Sequence, residues 1–212
     1  MAGLSAAGRG ARPDVAAIVV GGGGGQRLGG VSKPDLVLGG VRLIDRVCAV
    51  LTGACGAGCV AVVPPAVRVP DGVARTLEDP PGGGPLAGID AGLSALNLGE
   101  GGLVLVVSVD APGVGEFVPL LLAEPLGEAA DGRIVRGGDP EPFDQYLMGV
   151  YRAASLRRAI DEAVAAYGSV RGVGVRRVLR ALDVERVSVS ADACRDIDTP
   201  EDVAWWETFL SN

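Results

Sequence analysis

The stretch that decides the fold is residues 15–38, VAAIVVGGGGGQRLGGVSKPDLVL. It begins with a short run of Val, Ile and Ala, which is typical of a buried strand. Five consecutive glycines follow, and then a loop with two cations, Arg27 and Lys33. Glycine has no Cβ, so its backbone N–H groups can approach an anion closely. The stretch therefore predicts a strand that leads into a phosphate-binding loop, in which Arg27 and Lys33 neutralise phosphate oxygens.

Two better-known phosphate loops do not fit this stretch. The dinucleotide pattern G-x-G-x-x-G fails because Leu28 stands where the third glycine is required. The Walker pattern fails because Lys33 follows Ser32 rather than glycine. A flexible linker is also disfavoured, because the glycines connect an apolar strand to the apolar residues 36–38. The pattern thus indicates a phosphate loop of another kind.

The same stretch resembles the loop of the molybdenum cofactor guanylyltransferases and their wider nucleotidyltransferase superfamily. The signature of that family, L-A-G-G-x-S-x-R-M-G-G-x-D-K, aligns without a gap with residues 20–33. Three departures from it matter: Gly21 replaces Ala, Gly25 replaces Ser and Ser32 replaces Asp. The nucleotide-binding residues that the resemblance implies in this loop are Val20, Gly21, Gly22, Gly23 and Lys33, with Arg27 and Lys33 also catalytic.

Composition restricts the chemistry that the chain can perform. Of the 212 residues, 48% are apolar but only 4% aromatic, a mixture typical of aliphatic strands buried between helices. The chain has no histidine, which excludes Ser-His-Asp and Cys-His schemes and any His-ligated metal. Four cysteines occur without a C-x-x-C pair, so we expect buried, reduced thiols rather than a disulfide framework. Catalysis must then rely on carboxylates, cations and backbone groups.

Charge and hydropathy give expectations about partners and location. The net charge of −7 disfavours nucleic acid as a main partner. No apolar run is long enough for a membrane span, and residues 1–14 lack the hydrophobic core of a signal peptide. We expect a loose tail over residues 1–14, one domain over 15–212, a cytoplasmic location and a monomer.

The order of elements predicts the fold class. Residues 36–43 suggest two short strands joined by a Gly-Gly turn, and apolar spacing predicts a helix over 43–54. A second apolar strand follows at 60–63 and ends at two prolines. Strand, helix, strand in this order favours parallel pairing through a right-handed crossover. We therefore predict a three-layer α/β fold, a mostly parallel, Rossmann-like sheet with helices on both faces.

A second informative stretch, LEDPPGGGPLAG, covers residues 77–88. Its prolines and glycines indicate a loop, and Pro85 can open the helix that follows. The resembling family also carries G-P-L-A-G, spelled identically at residues 84–88, with an acidic residue shortly before it. The resemblance therefore implies that Asp79, with Glu78 as its competitor, contacts the base or ribose. An acidic turn residue before two prolines is the alternative.

The most apolar strand, residues 103–109, ends at Asp110. Ligands of open parallel sheets lie beyond the carboxyl ends of the strands. The glycine loop follows the first strand and should lie at that same edge of the sheet. A carboxylate facing a triphosphate requires a divalent cation between them, so we predict that Asp110 binds Mg²⁺. The alternative is that Asp110 caps a helix over 115–126. The family likewise has an Asp at the end of its equivalent strand.

The second half of the chain is less informative. Strands are predicted at 132–136, 145–152 and 184–189, with a helix between the last two that ends near residue 167. The final motif, D-I-D-T-P-E-D at 196–202, predicts a helix capped by Thr199, and Asp198 is a candidate second carboxylate beside the metal. Four arginines could attract an anionic pterin phosphate or form a solvated helix face: Arg171, Arg176, Arg177 and Arg180.

The resemblance implies transfer of a guanylyl group from GTP to molybdopterin, with Mg²⁺ as cofactor and molybdoenzymes or cofactor-delivery proteins as possible contacts. The spacing from Arg27 to Lys33 favours guanylyl over cytidylyl relatives, whereas the D-I-D spelling favours the cytidylyl ones. A sugar- or polyol-phosphate nucleotidyltransferase remains an alternative. A catalytically silent nucleotide-binding partner in cofactor delivery is the alternative from another class.

Overall fold

A computed structural model of the chain describes residues 10–21, 24–25, 30–99, 101–138 and 140–211. The strands in these ranges are β1 (Val15–Val20), β2 (Gly24–Gly25), β3 (Val31–Ser32), β4 (Val37–Leu38), β5 (Val41–Arg42), β6 (Cys59–Val62), β7 (Ala74–Thr76), β8 (Leu103–Ser108), β9 (Gly132–Gly137), β10 (Phe143–Arg152) and β11 (Val184–Ser188). The helices are α1 (Leu43–Ala54), α2 (Pro85–Ala95), α3 (Val114–Leu121), α4 (Ala153–Tyr167), α5 (Val175–Leu179) and α6 (Pro200–Leu210). In the described ranges, no helix combines the length and apolar character needed to cross a bilayer.

The central sheet has seven strands in the order β11-β9-β10-β8-β1-β6-β7. Only β10 runs against its neighbours; the pairs β1–β6, β1–β8, β6–β7 and β9–β11 are parallel. β8 therefore lies at the middle of the sheet, beside β1, as its apolar sequence predicted. The carboxyl ends of β1, β6 and β8 meet at one edge, which is where a ligand of an open parallel sheet is expected.

Helices cover both faces of the sheet, and β1 shows why. Its side chains alternate, so Val15, Ala17 and Val19 belong to the core that includes residues of α1, α3 and α6, while Ile18 and Val20 belong to the core that includes residues of α2 and α4. All six residues of β1 are buried, as expected for a strand covered on both sides. The prediction of a three-layer, mostly parallel α/β fold is confirmed.

Local predictions in the first half are also confirmed. The helix α1 occupies Leu43–Ala54, and β4 pairs with β5 through Gly39 and Gly40, whose φ angles of 58° and 77° suit the tight turn. All four cysteines are free and buried.

Two sequence predictions require correction. The helix expected over 115–126 ends at Leu121, because the buried guanidinium of Arg133 donates to the carbonyls of Leu121, Glu124 and Pro125 and holds that segment in a non-helical path. The tail expected over 1–14 is not loose at its end. Arg12 N–H donates to Ala54 O at 2.9 Å, and Gly56 N–H donates to Arg12 O at 2.7 Å, so the part of this segment nearest β1 is attached to the end of α1.

Candidate active site

A cleft of about 280 Å³ opens at the carboxyl ends of β1, β6 and β8. Among the described residues, its walls combine apolar side chains with four carboxylates and one ammonium group. The lining residues are Val20, Gly21, Lys33, Val62, Glu78, Gly84, Pro85, Gly88, Ser108, Val109, Asp110, Leu147, Met148, Asp196 and Asp198.

Lys33 supplies the positive charge in this cleft, and it is the only lysine in the chain. It lies on a short 3-10 turn, Lys33–Asp35, whose Pro34 is buried. The Nζ atom donates to Asp110 Oδ2 at 2.7 Å and to Asp198 Oδ1 at 2.5 Å. Only 13% of the Lys33 side chain and 16% of the Asp110 side chain are exposed, so the pair with Asp110 is largely shielded from solvent, whereas Asp198 is more open to it.

Asp110 lies two residues beyond the end of β8. Its Oδ1 atom accepts a hydrogen bond from Ser108 Oγ, which leaves Oδ2 directed at Lys33. The cap of α3 is Gly113, so the capping alternative for Asp110 is wrong. Ser108 was not singled out from the sequence. The sequence could have identified it, because residues two positions apart in an extended chain place their side chains on the same side.

The C-terminal segment returns to the cleft and adds Asp196 and Asp198. Ile197 between them is fully buried, and its N–H donates to the backbone oxygen of Asp110 at 3.0 Å. Thr199 and Asp202 form a capping box at the start of α6, as the Thr-Pro motif predicted. The motif therefore does two things: it starts a helix, and it holds two carboxylates beside the tip of β8.

The charges in the cleft shift one another's titration. Burial acts to lower the pKa of Lys33, but the hydrogen bonds and charges of Asp110 and Asp198 outweigh it and raise that pKa above its usual value. The pKa of Asp196 is also raised, because the cleft desolvates this carboxyl group and the negative charges of Asp110 and Asp198 lie nearby. The site therefore keeps a firmly protonated ammonium group among closely spaced carboxyls.

The start of the glycine loop differs from its predicted role. Val20 and Gly21 line the cleft, but Gly21 N–H donates to Val62 O at 3.0 Å and so continues the sheet instead of facing an anion. A Cβ at Gly21 would lie 2.6 Å from Val63 Cγ1, so tight packing accounts for this glycine. The other predicted loop residues, Gly22, Gly23 and Arg27, lie outside the described residues.

The structure places Glu78, and not Asp79, in the cleft. Asp79 is exposed and does not line the cavity, whereas Glu78 is buried in its wall. The nucleotide contact of Asp79 stays a prediction, and of the two acidic neighbours Glu78 is the one that lines the cavity. The loop after β7 turns the two adjacent side chains in different directions, and sequence spacing alone could not decide between them.

A bulge in β10 contributes two apolar residues to the wall of the cleft. Pairing with β9 shifts register between Gln145 and Gly149, and Leu147 and Met148 within this irregular part reach the cleft. Tyr151 Oη closes the bulge by donating to Tyr146 O at 2.7 Å. None of the four arginines suggested as pterin contacts lines this cleft; Arg171, for example, contacts Pro80 and Pro81.

The donor set is suited to a hard divalent cation. Asp110 and Asp198 already converge on one positively charged atom, Lys33 Nζ. Magnesium commonly takes one or two carboxylates together with phosphate oxygens and water. Among the described residues, no three carboxylate or thiol groups form a cluster able to hold a metal ion by themselves. Two carboxylates beside a triphosphate would give the usual magnesium environment.

The family model described as the MobA-like NTP transferase domain matches residues 17–188. A curated relative from Acidiphilium cryptum, named molybdenum cofactor guanylyltransferase, is 36% identical over 115 residues. That match covers 53% of this chain and spans 57% of the relative's length.

Solved structures share the fold at low identity. A molybdopterin-guanine dinucleotide biosynthesis protein A from Archaeoglobus fulgidus is 20% identical with a TM-score of 0.62, covering 92% of this chain and 98% of its own. A 2-C-methyl-D-erythritol 4-phosphate cytidylyltransferase from Thermus thermophilus is 19% identical with a TM-score of 0.68 and the same two coverages.

Proposed function

Because the chain belongs to the family of MobA-like NTP transferase domains, we propose that it transfers a guanylyl group from GTP to the phosphate of molybdopterin. One observation carries the proposal: Lys33, Asp110 and Asp198 converge at the carboxyl ends of parallel strands. The similarity to the guanylyltransferase of Acidiphilium cryptum supports guanine as the base and molybdopterin as the acceptor.

The reaction needs no general base from the protein. The second pKa of a phosphate monoester is about 6, so the acceptor is largely a dianion at neutral pH. One of its oxygens attacks the α-phosphorus of GTP, a new P–O bond forms, and the bond to the bridging oxygen of the β-phosphate breaks. The electron pair leaves with pyrophosphate. A chain without histidine can support this step, because positioning and charge neutralisation are what the protein must supply.

The charged residues that converge near Lys33 serve two roles in that reaction. The Lys33 ammonium neutralises the departing phosphates, and Arg27 is proposed to act with it. Asp110, with Asp198, would hold Mg²⁺, and Ser108 positions the Asp110 carboxylate through its hydrogen bond. The cation supplies Lewis-acid stabilisation of charge on the phosphate oxygens. Leu147 and Met148 give the wall formed by β10 an apolar surface.

The cellular setting follows from the same proposal. GTP is a cytoplasmic substrate, and four free, buried cysteines suit a reducing compartment. The product would pass to molybdoenzymes or cofactor-delivery proteins, which are the partners expected on this proposal.

The test is a direct assay of acceptor and nucleotide. Purified protein with Mg²⁺ is incubated with GTP, CTP, ATP or UTP labelled at the α-phosphate, together with molybdopterin or with methylerythritol phosphate. We expect label transfer and pyrophosphate release only with GTP and molybdopterin.

Two results would contradict the proposal. Faster transfer from CTP, or transfer to the polyol phosphate, would assign the chain to the cytidylyl or polyol-phosphate alternatives. Nucleotide binding without transfer to any acceptor would favour a silent role in cofactor delivery.

A further inference from the structure

The loop between β7 and α2, residues 77–84, forms one wall of the cleft. Glu78 and Gly84 from this loop line the cavity, together with Pro85 at the start of α2. The loop sequence, LEDPPGGG, ends in three glycines, the residue type that loses the most conformational freedom when a segment is ordered. Such a loop keeps a single shape only if other groups hold it.

Glu78 supplies contacts inside this loop. Its Oε1 atom accepts from the N–H groups of Gly82 and Gly83 at 3.1 and 3.2 Å. The carboxylate therefore joins the beginning of the loop to its glycines. Because donor and acceptor both belong to the loop, these bonds shape it but do not attach it to another part of the molecule.

A second loop, residues 168–174 between α4 and α5, supplies contacts from outside. The guanidinium group of Arg171 donates to the backbone oxygen of Pro80 and, at 3.3 Å, to that of Pro81. One side chain thus binds two successive carbonyls in the part of the 77–84 loop that its own glycines leave least constrained. The planar guanidinium group, with several donors in a fixed geometry, is suited to such a double contact.

The two loops also touch through their backbones. Gly172 N–H donates to Gly83 O at 2.8 Å. A Cβ at Gly83 would lie 3.0 Å from Arg171 Nη1 and 2.7 Å from Ala87 Cβ, so the contact leaves no room for a side chain there. Gly83 is therefore held between the second loop and the first turn of α2.

The second loop is itself anchored in the core. Val170 is buried, and Val173 packs against the core formed by α2, α4 and the sheet. Between them the chain turns at Gly172, whose φ angle is 70°, and the Arg171 N–H donates to Ser169 Oγ at 3.1 Å. A rigid support of this kind lets a side chain fix the position of a neighbouring loop.

We propose that Arg171 is a positioning residue for nucleotide binding, which holds the 77–84 loop in the shape that the cleft requires. It acts through the loop, because it does not itself line the cavity. This inference rests on the proposed function in one respect, that the cleft binds a nucleoside triphosphate. A preformed wall spares the ligand the cost of ordering the loop, so loss of Arg171 should weaken nucleotide binding rather than slow the chemical step.

The first test separates binding from turnover. We expect calorimetry with Mg²⁺ to show that Arg171→Ala binds GTP about 10-fold more weakly, and KM for GTP to rise in parallel. At saturating GTP, kcat should stay within about 2-fold of the wild type, because the bound nucleotide orders the loop in both proteins. Arg171→Lys keeps a cationic donor but not the planar fork, so its loss of affinity should be only about 3-fold. An unchanged GTP affinity in Arg171→Ala would overturn the inference.

Arg176 provides the control for charge. It lies on the nearby helix α5 and is exposed, as Arg171 is. Arg176→Ala removes the same positive charge and should leave the GTP affinity within about 2-fold of the wild type. An equal loss of affinity in both variants would assign the effect to long-range attraction of the triphosphate and would contradict the positioning role.

Hydrogen exchange of the 77–84 loop distinguishes positioning from a general loss of stability. In nucleotide-free Arg171→Ala the amides of residues 82 and 83 should exchange faster than in the wild type. Saturating GTP should return them to the rate of the GTP-bound wild type. The melting temperature should fall by less than about 4 °C, because the lost hydrogen bonds lie at the surface. Faster exchange throughout the protein, with no excess in this loop, would show that Arg171 has only a structural role.

The two proposals fail in different ways. If Arg171→Ala weakens GTP binding and loosens the loop, but no guanylyl transfer to molybdopterin occurs, the proposed function fails and the positioning role stands. If transfer occurs and Arg171→Ala binds GTP as tightly as the wild type, the positioning role alone fails. If the transfer assay selects CTP instead, the same comparison of variants is made with CTP.

Discussion

The Nζ atom of Lys33 lies 2.7 Å from Asp110 Oδ2, although 77 positions separate the two residues in the chain. The contact joins the loop after β1 to the tip of β8, its neighbour in the sheet. Asp198 Oδ1 lies 2.5 Å from the same nitrogen, 165 positions from Lys33. Three separate parts of the chain thus meet at one cationic atom, and most of the chemistry proposed for the cleft depends on this arrangement.

The two carboxylates that contact Lys33 should contribute unequally to turnover. The Asp110 side chain is 16% exposed and that of Asp198 is 43% exposed, so Asp110 acts in the less screened environment. We expect Asp110→Asn to lower magnesium-dependent kcat by about 10²–10³-fold and Asp198→Asn by only about 10-fold. Steady-state kinetics, with thermal unfolding to verify the fold, measures both.

Asp35 provides the control for these two variants. It lies on the same turn as Lys33 but pairs with Arg42 and does not line the cleft. Asp35→Asn should retain wild-type kcat. An Asp110→Asn enzyme with unchanged kcat would remove the metal-binding role from Asp110.

The protonation of Lys33 can be measured directly, because no other lysine competes for an amine-specific reagent. Its raised pKa keeps the side chain as an ammonium ion to higher pH, so acylation of residue 33 should begin at a higher pH than in a free lysine peptide. Asp110→Asn removes one of the groups that raise this pKa and should shift the rate profile to lower pH. Peptide mapping by mass spectrometry after timed acylation gives both profiles.

The raised pKa of Lys33 also predicts how the free energy of unfolding changes at alkaline pH. Because the folded pKa of Lys33 lies above its unfolded value near 10.5, its ion pairs stabilise the protein fully below that value and are lost as pH rises through the folded pKa. A Lys33→Gln variant should therefore lose less stability than the wild type on alkaline titration above pH 10.5. Identical alkaline unfolding curves would argue against the raised pKa.

Much of the fold was predictable because local and tertiary preferences agree. The helix bounds of α1, the Gly39-Gly40 turn and the central position of β8 followed from apolar spacing and turn chemistry. The end of α3 did not, because it is set by the side chain of Arg133 from β9. Periodicity in one segment carries no information about a guanidinium that arrives from another.

The sequence was enough to predict which strand ends form the site, but not which side chains point into it. Parallel strands bring Lys33 and Asp110 together by topology alone. The choice between Glu78 and Asp79 depends on how one loop turns, and the contribution of Leu147 and Met148 depends on a bulge in β10. A bulge or a loop path is decided by packing across the molecule, which a local motif does not encode.

Gly113 lies against the turn that precedes residues 196–198, which leads to a further prediction. A Cβ at Gly113 would collide with the backbone carbonyl of Ala193, which cannot move like a flexible side chain. We expect Gly113→Ala to lower the free energy of unfolding by about 1–3 kcal/mol and to reduce kcat, because the turn before Asp196 is displaced. Chemical denaturation and steady-state kinetics test the two effects.

Gly115, two residues later in α3, is the matched control. A Cβ there meets no atom within 4 Å, and alanine favours the helix. Gly115→Ala should raise the free energy of unfolding by about 0.5 kcal/mol and leave kcat unchanged. Equal destabilisation by both variants would contradict the role given to the contact with Ala193.

Asp144 should control part of the acid stability of the sheet. It lies on β10 and pairs with Arg186 of β11 at 2.9 Å and with Arg136 of β9 at 3.0 Å. The hydrogen bond from Arg186, aided by Arg136 against a desolvation penalty, lowers the pKa of Asp144 below its usual 3.8. Because the folded pKa is the lower one, these pairs stabilise the protein above pH 3.8 and lose their contribution as pH falls through the folded pKa.

We therefore expect Asp144→Asn to lower the free energy of unfolding by about 1 kcal/mol at pH 7, a modest value because both arginines are partly exposed. Below the folded pKa of Asp144 the variant and the wild type should converge. Urea unfolding at a series of pH values from 7 downward measures this difference. Asp71→Asn, at an exposed residue outside the ion pairs of the described structure, should follow the wild-type curve throughout. A constant gap between Asp144→Asn and the wild type at every pH would show that packing, and not ionisation, is what Asp144 contributes.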